Sequence, residues 1–279
     1  MPKATVDDIQ LYYEDNGRGE SLVLIMGLGA STLSWSEQVP TFSHEFRVIA
    51  FDNRGAGRSD KPAVQYSVAL FADDTAGLMD ALGIDSAHVY GQSMGGFIAQ
   101  ELALRHPQRV RTLILASTSC GGRQAVVGSP ENLAVIGMMN ILTPREAAEK
   151  SLSLLYSEEF IAANREALIQ RSLREAELRP PHDAFGRQVQ AAIRHNAFDR
   201  LADIRCPTLV ITGSDDKVVP PDNSRILTER IPGAELAVLA DAGHGYLIEK
   251  AAESNAIVLE FLRRQRIAAR PAGSGSTSD

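Results

Sequence analysis

Short apolar runs alternate with stretches of helical periodicity through both halves of the chain. Leu22 to Met26 is uninterrupted apolar sequence, as a strand buried on both faces of a parallel sheet requires. Val68 to Leu82 instead has apolar residues at helical spacing, and Gly83 follows it as a helix stop. This alternation predicts an α/β fold, with a mostly parallel central sheet flanked by helices. Four further strands and one helix are predicted here: strands at Ile9 to Tyr13, Arg47 to Phe51, Ala87 to Tyr90 and Val110 to Ala116, and a helix at Phe97 to Arg105.

The alternation is interrupted in the middle of the chain, where strand-like runs are few. We therefore predict an α/β core of residues 1–120 and 204–270, interrupted by a helical insertion of residues 121–203. The tail, residues 271–279, consists of small and polar residues and is predicted to be disordered. It cannot bury enough apolar area to offset the conformational entropy lost when a chain becomes ordered. In the insertion, helices are predicted at Arg145 to Leu155, Glu158 to Leu173 and Phe185 to His195. After the insertion, strands are predicted at Pro207 to Thr212 and Ala234 to Leu239, and a helix at Ala252 to Arg266.

The charge balance of the chain excludes several classes of partner. The formal net charge is −7, whereas binding to nucleic acid or an anionic membrane requires a basic surface. No apolar stretch is long enough to span a membrane, and no secretory signal is visible, so we expect a cytoplasmic protein. The two cysteines, Cys120 and Cys206, have no metal-site spacing, and we expect no metal. The expected partner is a small-molecule substrate, and a homodimer stays open.

The run Gly91-Gln92-Ser93-Met94-Gly95 lies between a predicted strand and a predicted helix. A nucleophile on such a tight turn needs small neighbours, which the glycines supply. The helix N-terminus also favours negative charge that develops beside the serine. We therefore predict that Ser93 is the nucleophile of a serine hydrolase, in preference to a serine that only caps a helix.

A serine hydroxyl needs a base to take its proton, and the base needs an acid that orients it. Of the six histidines, we predict His244 as the base, because it lies between glycines in the loop before the last helix. The acid is expected at the C-terminal end of a strand, and the segment after Thr212 offers Asp215 and Asp216 there. Asp216 is preferred and Asp215 is the alternative, since composition does not choose between them.

Two loops after strands complete the candidate site. Gly27-Leu28-Gly29 follows the strand that ends at Met26, and we predict that the amides of Leu28 and Met94 form an oxyanion hole. The sequence has no phosphate-binding loop, and Gly-x-Gly alone is too short for a dinucleotide site, so we predict no cofactor. The turn from Asp52 to Ser59 is predicted to be scaffold whose charges tie it to the oxyanion loop.

Together these motifs resemble the α/β-hydrolase fold superfamily, over about residues 9–265. The resemblance is carried by the turn from Asp52 to Ser59, the run from Gly91 to Gly96, Gly213-x-x-Asp216-x-x-Val219-Pro220 and Gly243-His244. The order Ser, Asp, His is that of the superfamily. In that superfamily the acid usually stands three residues after the glycine of such a motif, here Gly213, which favours Asp216. The pattern is similar to the carboxylesterase and 3-oxoadipate enol-lactonase branch, which implies a cofactor-free enzyme whose insertion is a helical cap over Ser93.

The resemblance implies hydrolysis of a carboxylic ester or lactone of a small, largely apolar substrate through an acyl-enzyme. Two alternatives stay open: a C–C bond hydrolase of the meta-cleavage type, and a ligand-sensing hydrolase-like protein. Residues 133–142 are rich in flexible apolar side chains, so Met138 and Met139 are candidates for the substrate pocket. Trp35, just after the oxyanion loop, is a third candidate. Packing within the protein is an equal interpretation for all three residues.

Overall fold

One eight-stranded sheet forms the centre of the molecule. The computed structural model describes residues 2–138 and 141–268. The predicted α/β fold with a mostly parallel sheet is confirmed. In chain order the strands are β1 (Lys3–Val6), β2 (Ile9–Gly17), β3 (Ser21–Ile25), β4 (Arg47–Phe51), β5 (Ala87–Gln92), β6 (Val110–Ala116), β7 (Thr208–Gly213) and β8 (Glu235–Leu239).

The order of the strands brings the predicted site residues to one edge of the sheet. The spatial order is β1-β2-β4-β3-β5-β6-β7-β8, in which β2 is antiparallel to β1 and β4 and all other neighbours are parallel. Parallel strands have their C-terminal ends at a common edge, where ligands bind in open α/β sheets. The loops after β3, β5, β7 and β8 therefore meet, and they carry Leu28, Ser93, Asp216 and His244.

Helices cover the sheet and fill the connections between its strands. They are α1 (Gln38–Phe42), α2 (Val68–Ala81), α3 (Met94–Arg105), α4 (Pro130–Met138), α5 (Pro144–Leu155), α6 (Glu158–Ala176), α7 (His182–Arg194), α8 (Asp222–Arg230), α9 (Tyr246–Glu249) and α10 (Ala251–Ala268). Short 3₁₀ turns lie at Thr32–Trp35, Pro107–Arg109, Gly122–Gln124 and Phe198–Asp203. β1, α1, α4, α8 and α9 were not expected from the sequence. No helix among the described residues is long and apolar enough to cross a membrane.

Alternate residues of the central strands point to two separate apolar cores. In β3, Val23 and Ile25 pack with α2 and α3 on one face, whereas Leu22 and Leu24 pack with α1 and α10 on the other. This two-sided burial explains why the parallel strands are continuous apolar runs and lack a polar face. The sheet is therefore held rigidly between two layers of helices, and its C-terminal edge provides a fixed base for the loops.

The predicted insertion, residues 121–203, leaves the core after Cys120, and the chain returns to the core at Ala197. Gly121 forms a β-bridge with Asn196, the amide of Gly122 donates to the carbonyl of His195 at 2.9 Å, and the amide of Ala197 donates to the carbonyl of Cys120 at 2.9 Å. We call these contacts the junction. Helices α4 to α7 lie between its two ends, and α5 and α6 share a small apolar core of their own, formed by Ala148, Leu152, Leu168 and Ile169. The tail predicted to be disordered, residues 271–279, lies outside the described residues.

Candidate active site

Ser93 occupies a strained turn between β5 and α3. Its backbone has φ 56° and ψ −121°, a left-handed conformation that is uncommon for a residue other than glycine. Its amide donates to the carbonyl of Ala116 at 2.8 Å, and its carbonyl accepts from the Thr118 hydroxyl at 2.8 Å and the Gly96 amide at 2.9 Å. These three hydrogen bonds hold the turn, and the half-buried serine faces a cavity.

The glycines around Ser93 are required by close backbone contacts. A Cβ atom on Gly91 would lie 2.2 Å from the carbonyl oxygen of Gly95, and one on Gly95 would lie 2.0 Å from the carbonyl oxygen of Ile25. Both distances are far below contact between non-bonded atoms, so α3 can approach β3 and β5 only where side chains are missing. The Gly-x-Ser-x-Gly pattern is thus a consequence of the tight packing of this turn.

His244 and Asp216 form a buried pair at the same edge of the sheet. His244 Nδ1 lies 2.8 Å from Asp216 Oδ2, and both residues are buried. The second carboxylate oxygen of Asp216 accepts from the amides of Val218 at 2.9 Å and Val219 at 2.8 Å, so the acid is fixed by its own loop. Asp215, the alternative acid, is exposed, and its amide bonds to the carbonyl of Ala242 at 2.9 Å. The geometry thus favours Asp216 over Asp215 as the residue that orients His244.

Gln92 is a neighbour of the base that the sequence did not indicate. Its Nε2 lies 3.3 Å from His244 Nε2, and it lines the cavity beside Ser93. A carboxylate at Nδ1 keeps the ring proton on that nitrogen, so Nε2 is left as an acceptor. The Gln92 amide donates to this acceptor. The imidazole is therefore oriented from both sides, with its unprotonated nitrogen on the cavity side.

The candidate oxyanion amides belong to residues that flank Ser93. Leu28 lines the cavity, and Met94 is the first residue of α3, where amides have no partner within the helix. Gly27 allows this approach, since a Cβ atom there would lie 2.9 Å from Cβ of Ser93. The next amide, that of Gly29, donates to Gln188 Oε1 at 2.9 Å. The loop that carries Leu28 is thereby tied to α7 of the insertion.

The turn from Asp52 to Ser59 supports the oxyanion loop from below. Asp52 is fully buried and accepts from the amides of Thr32 and Arg58, each at 2.7 Å, while Asn53 Nδ2 donates to the carbonyl of Met26 at 2.8 Å. Burial raises the pKa of Asp52 despite these two amide donors. Arg54 is buried with Asp74, and the two form paired hydrogen bonds of 2.8 and 2.7 Å. These contacts agree with a scaffold role, because the charged side chains are used within the protein.

A cavity of about 360 Å³ connects these residues with the insertion. Ser93, His244, Gln92 and Leu28 line its base, and half of the other lining residues come from the insertion. Apolar side chains dominate that wall, and they include Ile136, Leu154, Leu155, Phe185, Val218 and Leu247. The volume is within the usual range for a small-molecule site, in which a largely apolar wall carries a few fixed polar groups.

Three charged side chains in the cavity wall were missed by sequence reasoning. Arg171, Glu175 and Arg179 line the cavity from α6 and the segment after it. Arg171 and Glu175 are one helical turn apart and form an ion pair of 3.2 Å. Such spacing is typical of solvent-exposed pairs on a helix, so the sequence alone gives no reason to assign them to a site.

The three substrate-pocket candidates lie elsewhere or outside the described residues. Trp35 is fully buried in the core and packs edge-on against Tyr90 with ring centroids 5.1 Å apart, and it does not line the cavity. Its large apolar surface is covered by the core, so the pocket interpretation of Trp35 is not supported. Met138 ends α4, is 39% exposed and also lies outside the cavity wall. Met139 lies outside the described residues.

The site shows no group of side chains that would hold a metal ion. Within residues 2–138 and 141–268, no three His, Cys, Asp or Glu side chains are arranged to do so. Cys120 and Cys206 are free thiols, and burial raises the pKa of Cys206 to about 11, which disfavours its reactive thiolate form.

Comparisons with known proteins agree with this fold. The family model of the α/β-hydrolase fold matches residues 20–251, and the chain therefore belongs to the α/β-hydrolase fold family. It is 33% identical over 268 residues to a putative carbamate hydrolase RutD of a Caulobacter species, covering 94% of this chain and 98% of the relative. It is 34% identical over 267 residues to a 2-hydroxy-6-oxononadienedioate/2-hydroxy-6-oxononatrienedioate hydrolase of Burkholderia vietnamiensis, covering 92% of each.

Solved structures give the same result. The crystal structure of the enol-lactonase from Burkholderia xenovorans superposes with a TM-score of 0.83 at 28% identity, covering 94% of this chain and all of that one. The expected likeness to the enol-lactonase branch is thus confirmed, and the protein is a hydrolase of the α/β fold. The names of these similar proteins refer to hydrolysis of different bonds. The comparisons therefore support a hydrolase and do not specify the bond that it cleaves.

Proposed function

We propose that this protein hydrolyses carboxylic esters or lactones of small molecules through an acyl-enzyme on Ser93. The observation that carries the proposal is the 2.8 Å contact between His244 Nδ1 and Asp216 Oδ2, at the base of the cavity that Ser93 faces. This arrangement supplies a nucleophile, a base with its unprotonated nitrogen on the cavity side, and a fixed acid. The insertion acts as a cap that forms the substrate pocket.

The proposed reaction has two half-reactions. The Ser93 oxygen attacks the substrate carbonyl while His244 Nε2 takes the hydroxyl proton. The amides of Leu28 and Met94 stabilise the oxyanion that forms. The protonated imidazole then gives its proton to the leaving alkoxide, which leaves an acyl group on Ser93. A water molecule then gives a proton to His244 and attacks this ester. When the resulting tetrahedral intermediate collapses, the acid is released and His244 returns the proton to the Ser93 oxygen. Asp216 stabilises the charged imidazole in both half-reactions.

The test is pre-steady-state hydrolysis of p-nitrophenyl butyrate. We expect a burst of nitrophenolate, with turnover reduced by at least about 10³-fold in Ser93→Ala and His244→Ala. His44→Ala is the matched control, because His44 is exposed and lies outside the cavity wall. Undiminished turnover in folded Ser93→Ala would overturn the proposal. A single acylation without release would favour the ligand-sensing alternative.

A second candidate function is hydrolysis of a C–C bond in a ring-fission product. It is favoured by the 34% identity to a relative named as a 2-hydroxy-6-oxononadienedioate/2-hydroxy-6-oxononatrienedioate hydrolase. The test is to assay the protein with four substrates side by side: a vinylogous diketone, an ester, a lactone and a carbamate. Cleavage of the diketone without cleavage of any ester would replace the first proposal with the second.

A further inference from the structure

The loop that carries the proposed base lies against the turn between α5 and α6. We call residues 243–245 the base loop and residues 155–157 the α5–α6 corner. The amide of Gly245 donates to the carbonyl of Leu155 at 2.7 Å. A Cβ atom on Gly243 would lie 2.4 Å from the same carbonyl oxygen, so the two segments can approach this closely only because glycine stands there. The insertion therefore contacts the base loop directly.

Glu249, the last residue of α9, joins the same two segments. Its Oε2 accepts from the amide of Gly243, the residue before the base, at 2.9 Å. Its Oε1 accepts from the amide of Ser157 at 3.0 Å and also from the Ser157 hydroxyl. One half-buried carboxylate thus bridges the base loop and the α5–α6 corner, with one oxygen for each segment.

Ser157 extends this link to a helix that lines the cavity. Its Oγ accepts from the amide of Phe160 at 3.3 Å and so caps the N-terminus of α6. Both α6 and the α5–α6 corner contribute side chains to the cavity wall. Because hydrogen bonds run from α6 through Ser157 and Glu249 to Gly243, the position of this wall and the position of the base are connected.

A carboxylate is the side chain that can hold both segments at once. The groups that Glu249 contacts at Gly243 and Ser157 are N–H and O–H donors, so both of its oxygens must accept. Glutamine has the same length and shape, but its amide nitrogen donates and only its oxygen accepts. In Glu249→Gln a donor therefore faces a donor at one of the two segments. The hydrogen bond that is left is also weaker, because its acceptor is no longer ionised.

We propose that Glu249 is a positioning residue for the reaction at Ser93. It holds the base loop against the α5–α6 corner, so that the imidazole of His244 keeps its place only while the insertion lies against that loop. Glu249 lies outside the cavity wall and therefore acts through His244 and not on the substrate. The inference rests on the proposed function, because it concerns the base of that reaction.

The first test is steady-state hydrolysis of p-nitrophenyl butyrate by Glu249→Gln. We expect kcat and kcat/KM to fall together by about 10- to 100-fold with little change in KM, because a displaced catalytic group slows the chemical step. Glu253→Gln is the matched control, since Glu253 is exposed in the first turn of α10, and it should keep the wild-type kcat. A lower melting temperature with wild-type kcat in Glu249→Gln would overturn the inference.

A double-mutant cycle tests whether Glu249 acts through the insertion. Ser157→Ala removes the hydroxyl donor and keeps the amide, so we expect a smaller fall in kcat, by about two- to tenfold. Glu249→Gln/Ser157→Ala should be no slower than Glu249→Gln alone, because both changes remove the same link. A double variant in which the two effects multiply would contradict the link.

Amide hydrogen exchange, measured by NMR, separates this inference from the proposed function. In Ser157→Ala we expect the amide of Gly243 to exchange about tenfold faster than in the wild type, although the change lies in the insertion. Glu253→Gln should exchange as the wild type does. Unchanged exchange at Gly243 in Ser157→Ala would overturn the inference, and this measurement decides it if Glu249→Gln does not fold.

The two proposals can therefore fail separately. Turnover that depends on Ser93 and His244, with wild-type kcat in Glu249→Gln, would refute only the positioning role. Faster exchange at Gly243 in Ser157→Ala, together with full turnover in Ser93→Ala, would refute only the acyl-enzyme.

Discussion

The strain at Ser93 is maintained by the residues around it. A left-handed conformation costs a residue other than glycine about 1–3 kcal/mol, and it persists only where the surrounding structure determines it. Here the turn is fixed by hydrogen bonds to Ala116, Gly96 and Thr118, and by glycines with no room for side chains. The proposed nucleophile is therefore preorganised, and substrate binding need not move the backbone that carries it.

The two adjacent acids allow a matched test at single-residue scale. Asp216→Asn should lower kcat by about 10⁴-fold, because an amide cannot stabilise the charged imidazole and favours the wrong tautomer of His244. Asp215→Asn should have nearly wild-type activity, since that side chain is exposed. Ester turnover and melting temperature should be measured for both. Loss of turnover in Asp215→Asn alone, with the fold intact, would assign the acid to the other residue.

At the scale of elements, α7 supports the oxyanion loop through one side chain. Gln188 is fully buried, accepts from the Gly29 amide at 2.9 Å and donates to the carbonyl of Arg54 at 2.9 Å. Gln188→Ala leaves both backbone groups unpaired, and we expect a loss of stability of about 2–4 kcal/mol together with a lower kcat. Gln190→Ala on the same helix is exposed and should change neither. Urea denaturation and ester kinetics check this, and equal effects of both variants would contradict it.

The elements that the sequence predicted well are those with a single dominant pattern. β4 and β6 begin and end at the predicted residues, and each ends in a continuous apolar run, Val48 to Phe51 and Leu113 to Ala116, that a polar residue follows. α3 begins three residues before the predicted Phe97, since two glycines in its first turn lower helix propensity but are needed for packing. α4 was not expected, because none of its residues is buried and its periodicity is weak.

The candidate site likewise contains residues that the sequence could predict and residues that it could not. Ser93, Asp216 and His244 follow strands, so their convergence could be predicted from chain order and the shared edge of the sheet. Arg171 and Glu175 could not be assigned, because an i, i+4 ion pair on a helix has the same sequence whether it faces solvent or a cavity. Gln92 was likewise missed, since its role depends on the position of a loop 152 residues further along the chain.

At the scale of the whole molecule, the junction introduces a pH dependence of stability. His195 is 5% exposed and stacks on Phe97 with ring centroids 4.6 Å apart, and burial lowers its pKa to about 4. Its folded pKa is below the ordinary value of 6.5, so its contribution to stability is complete above pH 6.5 and is lost as pH falls towards 4. The loss should amount to about 3 kcal/mol.

The measurement is the free energy of unfolding in urea between pH 7 and pH 4. His195→Gln should show a smaller decrease over this range than the wild type, because the group that gains a proton on unfolding is missing. His182→Gln is the matched control, since His182 is exposed at the start of α7, and it should keep the wild-type slope. The same slope in all three proteins would show that His195 does not cause the dependence.

The junction also has a consequence for protein engineering and for evolution. Because the chain departs after Cys120 and returns before Ala197 at adjacent positions, everything between them can be exchanged for the corresponding segment of another hydrolase with two crossover points. Such a chimaera would keep the strand ends that carry Ser93, Asp216 and His244, and would receive a new set of pocket-lining side chains. Recombination at this one place can therefore change substrate preference while Ser93, Asp216 and His244 are inherited, provided that the new segment supplies a side chain that replaces Gln188 at Gly29 and Arg54.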